Sequence, residues 1–295
     1  MSLHRIAARV PGDRTAPTDP RYLPIWSLAN VKPLSGTTNI ERSYRGGVEQ
    51  SGELPMLVLP APDGHLVLQT ASDDEWPSAA CTVLEEAIAE ATSASMDCRL
   101  MLTGGRSAGR LYRQLRGSRV PDHSKLTLLT GDERCVPLDA ADSNYGLILR
   151  ELVEAGPWQY VAFRPLRGWT DPGRALPEYE QELEQAVDVL LLSLGTDGHV
   201  ASLFPFSSST SESARRVTTA IAPDMSTRRL TITRRVVAEA GRVVILVVGS
   251  QKGGILREAL YEDGLGVEHL PARMVERGTW ILDRSAGEAF RGSRG

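Results

Sequence analysis

Four times along this chain a short apolar run gives way to a glycine-bearing polar turn and then to a helix, and no other feature restricts the fold as strongly. Residues 99–103 (RLMLT) end in Gly104, Gly105, Arg106 and Ser107, followed by a helix carrying Leu111, Tyr112 and Leu115. Residues 125–130 (KLTLLT) end in Gly131, Asp132, Glu133 and Arg134; the next helix starts near Ser143 and Asn144 and carries Leu147, Ile148, Leu152 and Val153. Residues 187–194 (VDVLLLSL) stop at Gly195, with Asp197, Gly198 and His199 directly after. Residues 243–248 (VVILVV) end in Gly249, Ser250, Gln251 and Lys252, before a helix through Ile255, Leu256 and Leu260. Nearly continuous apolar runs of this length suit strands buried on both faces. Alternated with helices, they predict an α/β protein with a mostly parallel, doubly wound sheet between two helical layers. Right-handed crossovers would place the four strand ends on one edge, where ligands of open α/β sheets bind.

The remaining segments fit round that sheet. Residues 56–59 and 66–69 are β-like runs about a turn at Pro62, Asp63 and Gly64. Residues 73–94 read as a helix with one apolar face (Val83, Leu84, Ala87, Ile88, Ala91). Residues 279–283 are a last strand, 229–233 a shorter one suited to antiparallel pairing, and the serine cluster 207–213 a loop. His65, beside the turn, reads as a surface residue. Residues 1–54 hold basic residues, five prolines and no sustained period. They are expected to be an extended or partly disordered arm before an α/β domain over 55–295.

Charge narrows the chemistry. The chain of 295 residues has a net charge of −4, which gives no reason to expect a nucleic-acid partner. Yet the predicted strand ends carry Arg106, Arg134, His199 and Lys252, with Arg228 and Arg229 nearby in sequence. Cations gathered at one edge of an acidic protein suit an anionic ligand. Glycines before a helix start add backbone N–H groups and the positive end of a helix dipole, as a phosphate requires. His199 is the candidate proton acceptor, with Asp197 or Asp132 to orient it. Alternatively His199 is a satisfied turn histidine and Asp197 only caps the turn. Glu133 should face away from the ligand, because neighbours on an extended chain alternate sides.

The same residues admit other chemistries. Residues 105–109 (GRSAG) match the G-x-S-x-G of a nucleophile elbow, with His199 or His269 available to complete a triad. That reading leaves Asp132, Arg134 and Lys252 without a task, and Ser107 as a helix N-cap is simpler. The five histidines are dispersed, so no metal site is expected. The glycine loop is not G-x-G-x-x-G, so no dinucleotide cofactor is expected. Cys81, Cys98 and Cys135 are scattered, odd in number and without C-x-x-C spacing, which fits a reduced, cytoplasmic setting. No apolar stretch reaches transmembrane length, and the N-terminus lacks the layout of a signal peptide.

Several blocks, in order from about residue 54 to 286, resemble the 6-phosphogluconolactonase family. They are LTGGRSAGRLYRQL, LLTGDERCVPLDAADSNYGLI, SLGTDGHVASLFP, RRLTIT, VVGSQKGGIL and LPARMVERGTWILD. The most specific are DGH running into ASLFP and the DER…SN segment. The resemblance implies a three-layer fold of the sugar-phosphate isomerase type and hydrolysis of 6-phosphogluconolactone in the pentose phosphate pathway, without cofactor. It implies that His199 activates water, that Asp132 and Asp197 shape the site, and that Gly104, Gly105, Arg106, Ser107, Arg134, Ser202, Arg229 and Lys252 bind the phosphosugar. A monomer or weak homodimer is expected. The alternatives are an aminosugar-phosphate isomerase or deaminase, whose DGH turn continues towards FNEP, and a phosphosugar-binding module without turnover. Three departures from the family pattern stand out. Arg106, Ser107 and Ala108 replace the usual residues after the glycine pair, Phe206 replaces the glycine after SLFP, and residues 223–228 (PDMSTR) replace a lysine-proline segment.

Overall fold

The structure, a computed structural model, describes residues 22–24, 55–95, 97–118, 120, 122–154, 156–223 and 227–292. Most of the expected N-terminal arm and part of the 223–228 segment lie outside the described residues. The strands are β1 (Tyr22–Pro24), β2 (Pro55–Leu59), β3 (His65–Thr70), β4 (Cys98–Leu102), β5 (Leu126–Thr130), β6 (Asp132–Arg134), β7 (Ala162–Arg164), β8 (Val189–Ser193), β9 (Val217–Ile221), β10 (Arg228–Ile232), β11 (Arg242–Val247) and β12 (Gly278–Leu282). The helices are α1 (Trp76–Ser95), α2 (Arg106–Leu115), α3 (Asn144–Ile148), α4 (Pro172–Glu182), α5 (Ser208–Ser211), α6 (Arg234–Glu239), α7 (Ser250–Tyr261) and α8 (Arg284–Gly292).

The large sheet runs β1-β2-β3-β12-β11-β8-β4-β5-β7. Every pair from β3 to β7 is parallel, and only β1 and β2 at one border are antiparallel. Side chains alternate between two apolar layers, as the pleat dictates. Leu190 and Leu192 of β8 face one core with Ile245, Tyr179 of α4, Leu256 of α7 and Phe290 of α8. Val189 and Leu191 face the other with Val244, Leu84 of α1 and Leu111 of α2. Leu190, Leu191 and Leu192 are all fully buried. Each such leucine contributes roughly 1.5–3 kcal/mol relative to exposure, so β8 is the axis on which the two cores are built.

Chain order reverses at β8. The sheet grows outwards from β4 through β5 to β7, then returns to lay β8 on the other side of β4, with β11 beyond it. This is the topological switch point at which open α/β sheets take their ligands. A second, three-stranded antiparallel sheet, β6-β10-β9, stands with Arg229 directly opposite Arg134.

Some local expectations change. The serine cluster holds a short helical turn, α5, instead of a plain loop. The helix after Ser143 passes from α3 into a π-helical turn over Leu149–Val153. His65 is half-buried, its Nδ1 accepting a hydrogen bond from Trp280 Nε1 at 3.1 Å. Burial lowers its pKa by disfavouring the charged ring. Among the described residues no helix is long and apolar enough to cross a membrane.

Candidate active site

The three adjacent strands β4, β8 and β11 end in the turns that the sequence singles out, with the Asp197–His199 turn in the middle. Its conformation is set locally. Gly195 N donates to His199 O at 2.8 Å and Gly198 N to Gly195 O at 3.2 Å, closing the turn on itself. Gly198 has φ +83°, and a side chain there would overlap Leu270. A Cβ on Gly195 would overlap the His199 ring and stand 2.8 Å from Asp197 Oδ1. The turn therefore requires these glycines so that the acid and the imidazole can fold back together.

They meet closely. Asp197 Oδ1 lies 2.5 Å from His199 Nδ1 and also accepts the His199 backbone N–H at 3.2 Å. Both side chains remain partly exposed. Burial works to raise the Asp197 carboxyl, but the hydrogen bond and charge of His199 outweigh it and hold the group below its ordinary range. Asp197 thus caps the turn and orients the ring at once, so the two readings offered for it are one arrangement. An ionised Asp197 at Nδ1 selects the tautomer protonated there, which leaves Nε2 as the basic nitrogen.

On either side lie two helix starts. The N-caps of α2 and α7 are Gly105 (φ +93°) and Gly249 (φ +103°), each without a side-chain cap and with no heavy atom within 4 Å of where a Cβ would stand. Arg106 opens α2, and Lys252 lies in the first turn of α7. Lys252 titrates below its ordinary value: burial lowers it, Asp283 partly restores it, and the charge of Arg106 lowers it again. The two cations therefore feel one another across the switch point. Asp283, from β12's end, receives Gly249 N at 2.8 Å and so anchors the second turn. Ser107, expected as an N-cap, is the second residue of α2, because Gly105 takes the cap position. No hydrogen bond joins Ser107 to His199 or His269 among the described residues, so the triad of a nucleophile elbow is not assembled.

The remaining residues are drawn in by the small sheet. Asp132 is buried; it receives Ser202 Oγ at 2.6 Å on Oδ2 and Asn144 Nδ2 at 3.0 Å on Oδ1. It is Asp197, and not Asp132, that holds the imidazole. Ser202, expected to bind ligand, is fully buried. Its hydroxyl goes to Asp132 and its N–H to Thr231 Oγ1 at 3.1 Å, so it fastens the loop after His199 to β6 and β10. Phe204 completes that join: its ring centroid is 4.9 Å from that of His199 and 5.4 Å from the Arg229 guanidinium carbon. Arg134 donates to Asn144 Oδ1, and Asn144 packs so closely on Gly104 that any Cβ there would overlap it. Arg134 is in this way brought beside the glycine turn. Glu133 is fully buried. It receives the backbone N–H groups of Arg134 and Asn144 at 2.8 Å and of Tyr145 at 2.7 Å. Burial raises its carboxyl, partly offset by these bonds.

Asn144, Phe204 and Asp283 were not singled out from sequence. The SN pair carried a signal, but it reads as a helix start, and Ser143 does cap α3 by accepting Gly146 N at 3.0 Å.

The comparisons show the family and the fold. A family model described as glucosamine-6-phosphate isomerases/6-phosphogluconolactonase matches residues 71–282. A 6-phosphogluconolactonase of Pseudomonas aeruginosa is 34% identical over 215 residues, covering 69% of this chain and 88% of that one. The crystal structure of 6-phosphogluconolactonase from Thermotoga maritima has the same fold, with TM-score 0.67 and 24% identity over 75% of this chain and all of that one. The 6-phosphogluconolactonase from Trypanosoma cruzi gives 0.66 and 26%, covering 75% of this chain and 95% of its own. With a family model spanning well over half of its length, the chain belongs to the glucosamine-6-phosphate isomerase/6-phosphogluconolactonase family.

Proposed function

We propose that this protein hydrolyses 6-phospho-D-glucono-1,5-lactone to 6-phosphogluconate, the lactone-opening step of the pentose phosphate pathway, in the cytoplasm. The observation that carries the proposal is the Asp197–His199 pair set between two uncapped helix starts bearing Arg106 and Lys252. The 6-phosphate is bound by the N–H groups of the two glycine turns together with Arg106, Ser107 and Lys252. Arg134 and Arg229 supply further positive charge from the small sheet.

With the phosphate fixed, the lactone carbonyl lies towards the central turn. His199 Nε2 takes a proton from water as the oxygen attacks C1, and the resulting imidazolium is stabilised by Asp197. The carbonyl π electrons move to oxygen, forming a tetrahedral oxyanion. Collapse expels the ring oxygen, which receives the proton from His199, and 6-phosphogluconate is released. Asp132 and Ser202 keep the loop and small sheet in register.

A lactonase assay comparing 6-phosphogluconolactone with the unphosphorylated lactone tests this reading. Turnover well above spontaneous hydrolysis, with a strong preference for the phosphorylated ring, is expected. Ammonia release from glucosamine 6-phosphate would instead indicate the deaminase. Binding of 6-phosphogluconate without turnover would indicate the binding module.

A further inference from the structure

We infer that Asn144 is a positioning residue for Arg134, holding its guanidinium beside the glycine turn by a neutral acceptor that leaves the positive charge available to the substrate. This rests on the lactonase reading for Arg134's task. Asn144 is 1% exposed, and its amide is fully engaged. Nδ2 donates to the Asp132 backbone oxygen at 2.9 Å and to its Oδ1 at 3.0 Å. Two acceptors on one side fix which amide atom is nitrogen, so oxygen must face Arg134. Oδ1 accepts from Arg134 Nη1 and at the same time rests against the backbone of Gly104. One side chain therefore ties β6 to the turn after β4.

The chemistry of that tie matters. Among the described residues Arg134 has no carboxylate partner within ion-pair distance, although Asp132 and Glu133 precede it in sequence. Asp132 is occupied by Ser202 and Asn144, and Glu133 by three backbone N–H groups. An amide orients the guanidinium without neutralising it. Without that acceptor, a long side chain on a three-residue strand regains rotamer freedom that binding must then remove.

The test is a double-mutant cycle on 6-phosphogluconolactone hydrolysis with Asn144→Ala, Arg134→Ala and the double variant, alongside thermal melts. Each single change is expected to raise KM on the order of tenfold and leave kcat within about threefold. The double variant should match Arg134→Ala, because Asn144 has nothing left to position. Losses that multiply in the double variant overturn the inference. Should Asn144→Ala fail to fold, Asn144→Ser replaces it in the same cycle: its shorter side chain withdraws the acceptor from Arg134 while keeping a polar group beside Asp132, and the same non-additivity is required. A wild-type protein without turnover would remove the lactonase reading alone. The same proteins titrated with 6-phosphogluconate would then decide the positioning role by whether their affinity losses add.

Discussion

Asp197 Oδ1 and His199 Nδ1 are 2.5 Å apart, within a single turn whose two residues are separated only by Gly198. The orienting acid and the candidate base therefore travel together, and no distant element is needed to set the ring's tautomer. His199→Ala is expected to lower kcat by ~10²-fold or more, the scale of a lost general base. Asp197→Asn should also reduce kcat by ~10²-fold or more by releasing the tautomer. Steady-state kinetics with melts to confirm folding decides both, and unchanged turnover in His199→Ala would end the mechanism.

Gly195→Ala probes the same pair without removing either group. The added methyl would overlap the imidazole and crowd the Asp197 carboxylate. A ring displaced by about 1 Å costs up to ~10²-fold in rate, so kcat should fall at least tenfold by this scale. Wild-type kcat in a folded Gly195→Ala protein would show that the ring position is not critical.

Lys252 and Arg106 flank the turn as anion anchors, and their loss should appear mainly in KM. Lys252→Ala and Arg106→Ala are each expected to raise KM for the phosphorylated lactone by ~10-fold or more while sparing kcat, the signature of lost uniform binding. Neither should matter for the unphosphorylated lactone. Equal effects on both substrates would place these cations away from the phosphate.

His65 predicts a pH dependence of stability. Its native pKa lies below the ordinary 6.5 because burial disfavours the charged ring, whose Nδ1 must accept from Trp280. The unfolded chain therefore binds this proton at higher pH than the native one. The contribution is fully present above about 6.5 and is lost as pH falls through the lowered native value. His65→Gln, which offers an uncharged acceptor, should flatten the decline in melting temperature below that pH. An unchanged slope in His65→Gln would assign it to other groups.

Glu133→Gln places an amide –NH₂ among groups that already donate. We expect a loss of about 2 kcal/mol or more, the cost of buried donors left without acceptors. Denaturant unfolding measures it, and a change under about 0.5 kcal/mol, typical of a surface site, would contradict the buried geometry.

Much of this architecture is legible in residue order. The runs that became β4, β5, β8, β11 and β12 are apolar on both faces and bounded by glycine, so period and punctuation agree. Three-residue strands are not legible in this way. Asp132–Arg134 is entirely charged and forms a strand only because β10 supplies backbone partners. Ala162–Arg164 is largely exposed and carries no pattern. In the site, residues at strand ends were readable because topology alone collects them. Ser202 was legible only through the family resemblance, and its orientation, like that of Asn144, depends on contacts made elsewhere in the chain: Asp132 and Thr231 for Ser202, Gly104 and Arg134 for Asn144.

The antiparallel border of the large sheet carries a practical lesson for anyone shortening this protein. Tyr22–Pro24 pairs along β2 from Leu57 to Pro55, so the chain's own early residues occupy hydrogen-bonding groups that would otherwise lie open. A truncation at residue 54, attractive because the family match begins only at residue 71, would bare that margin and invite strands of other molecules to take the vacated place.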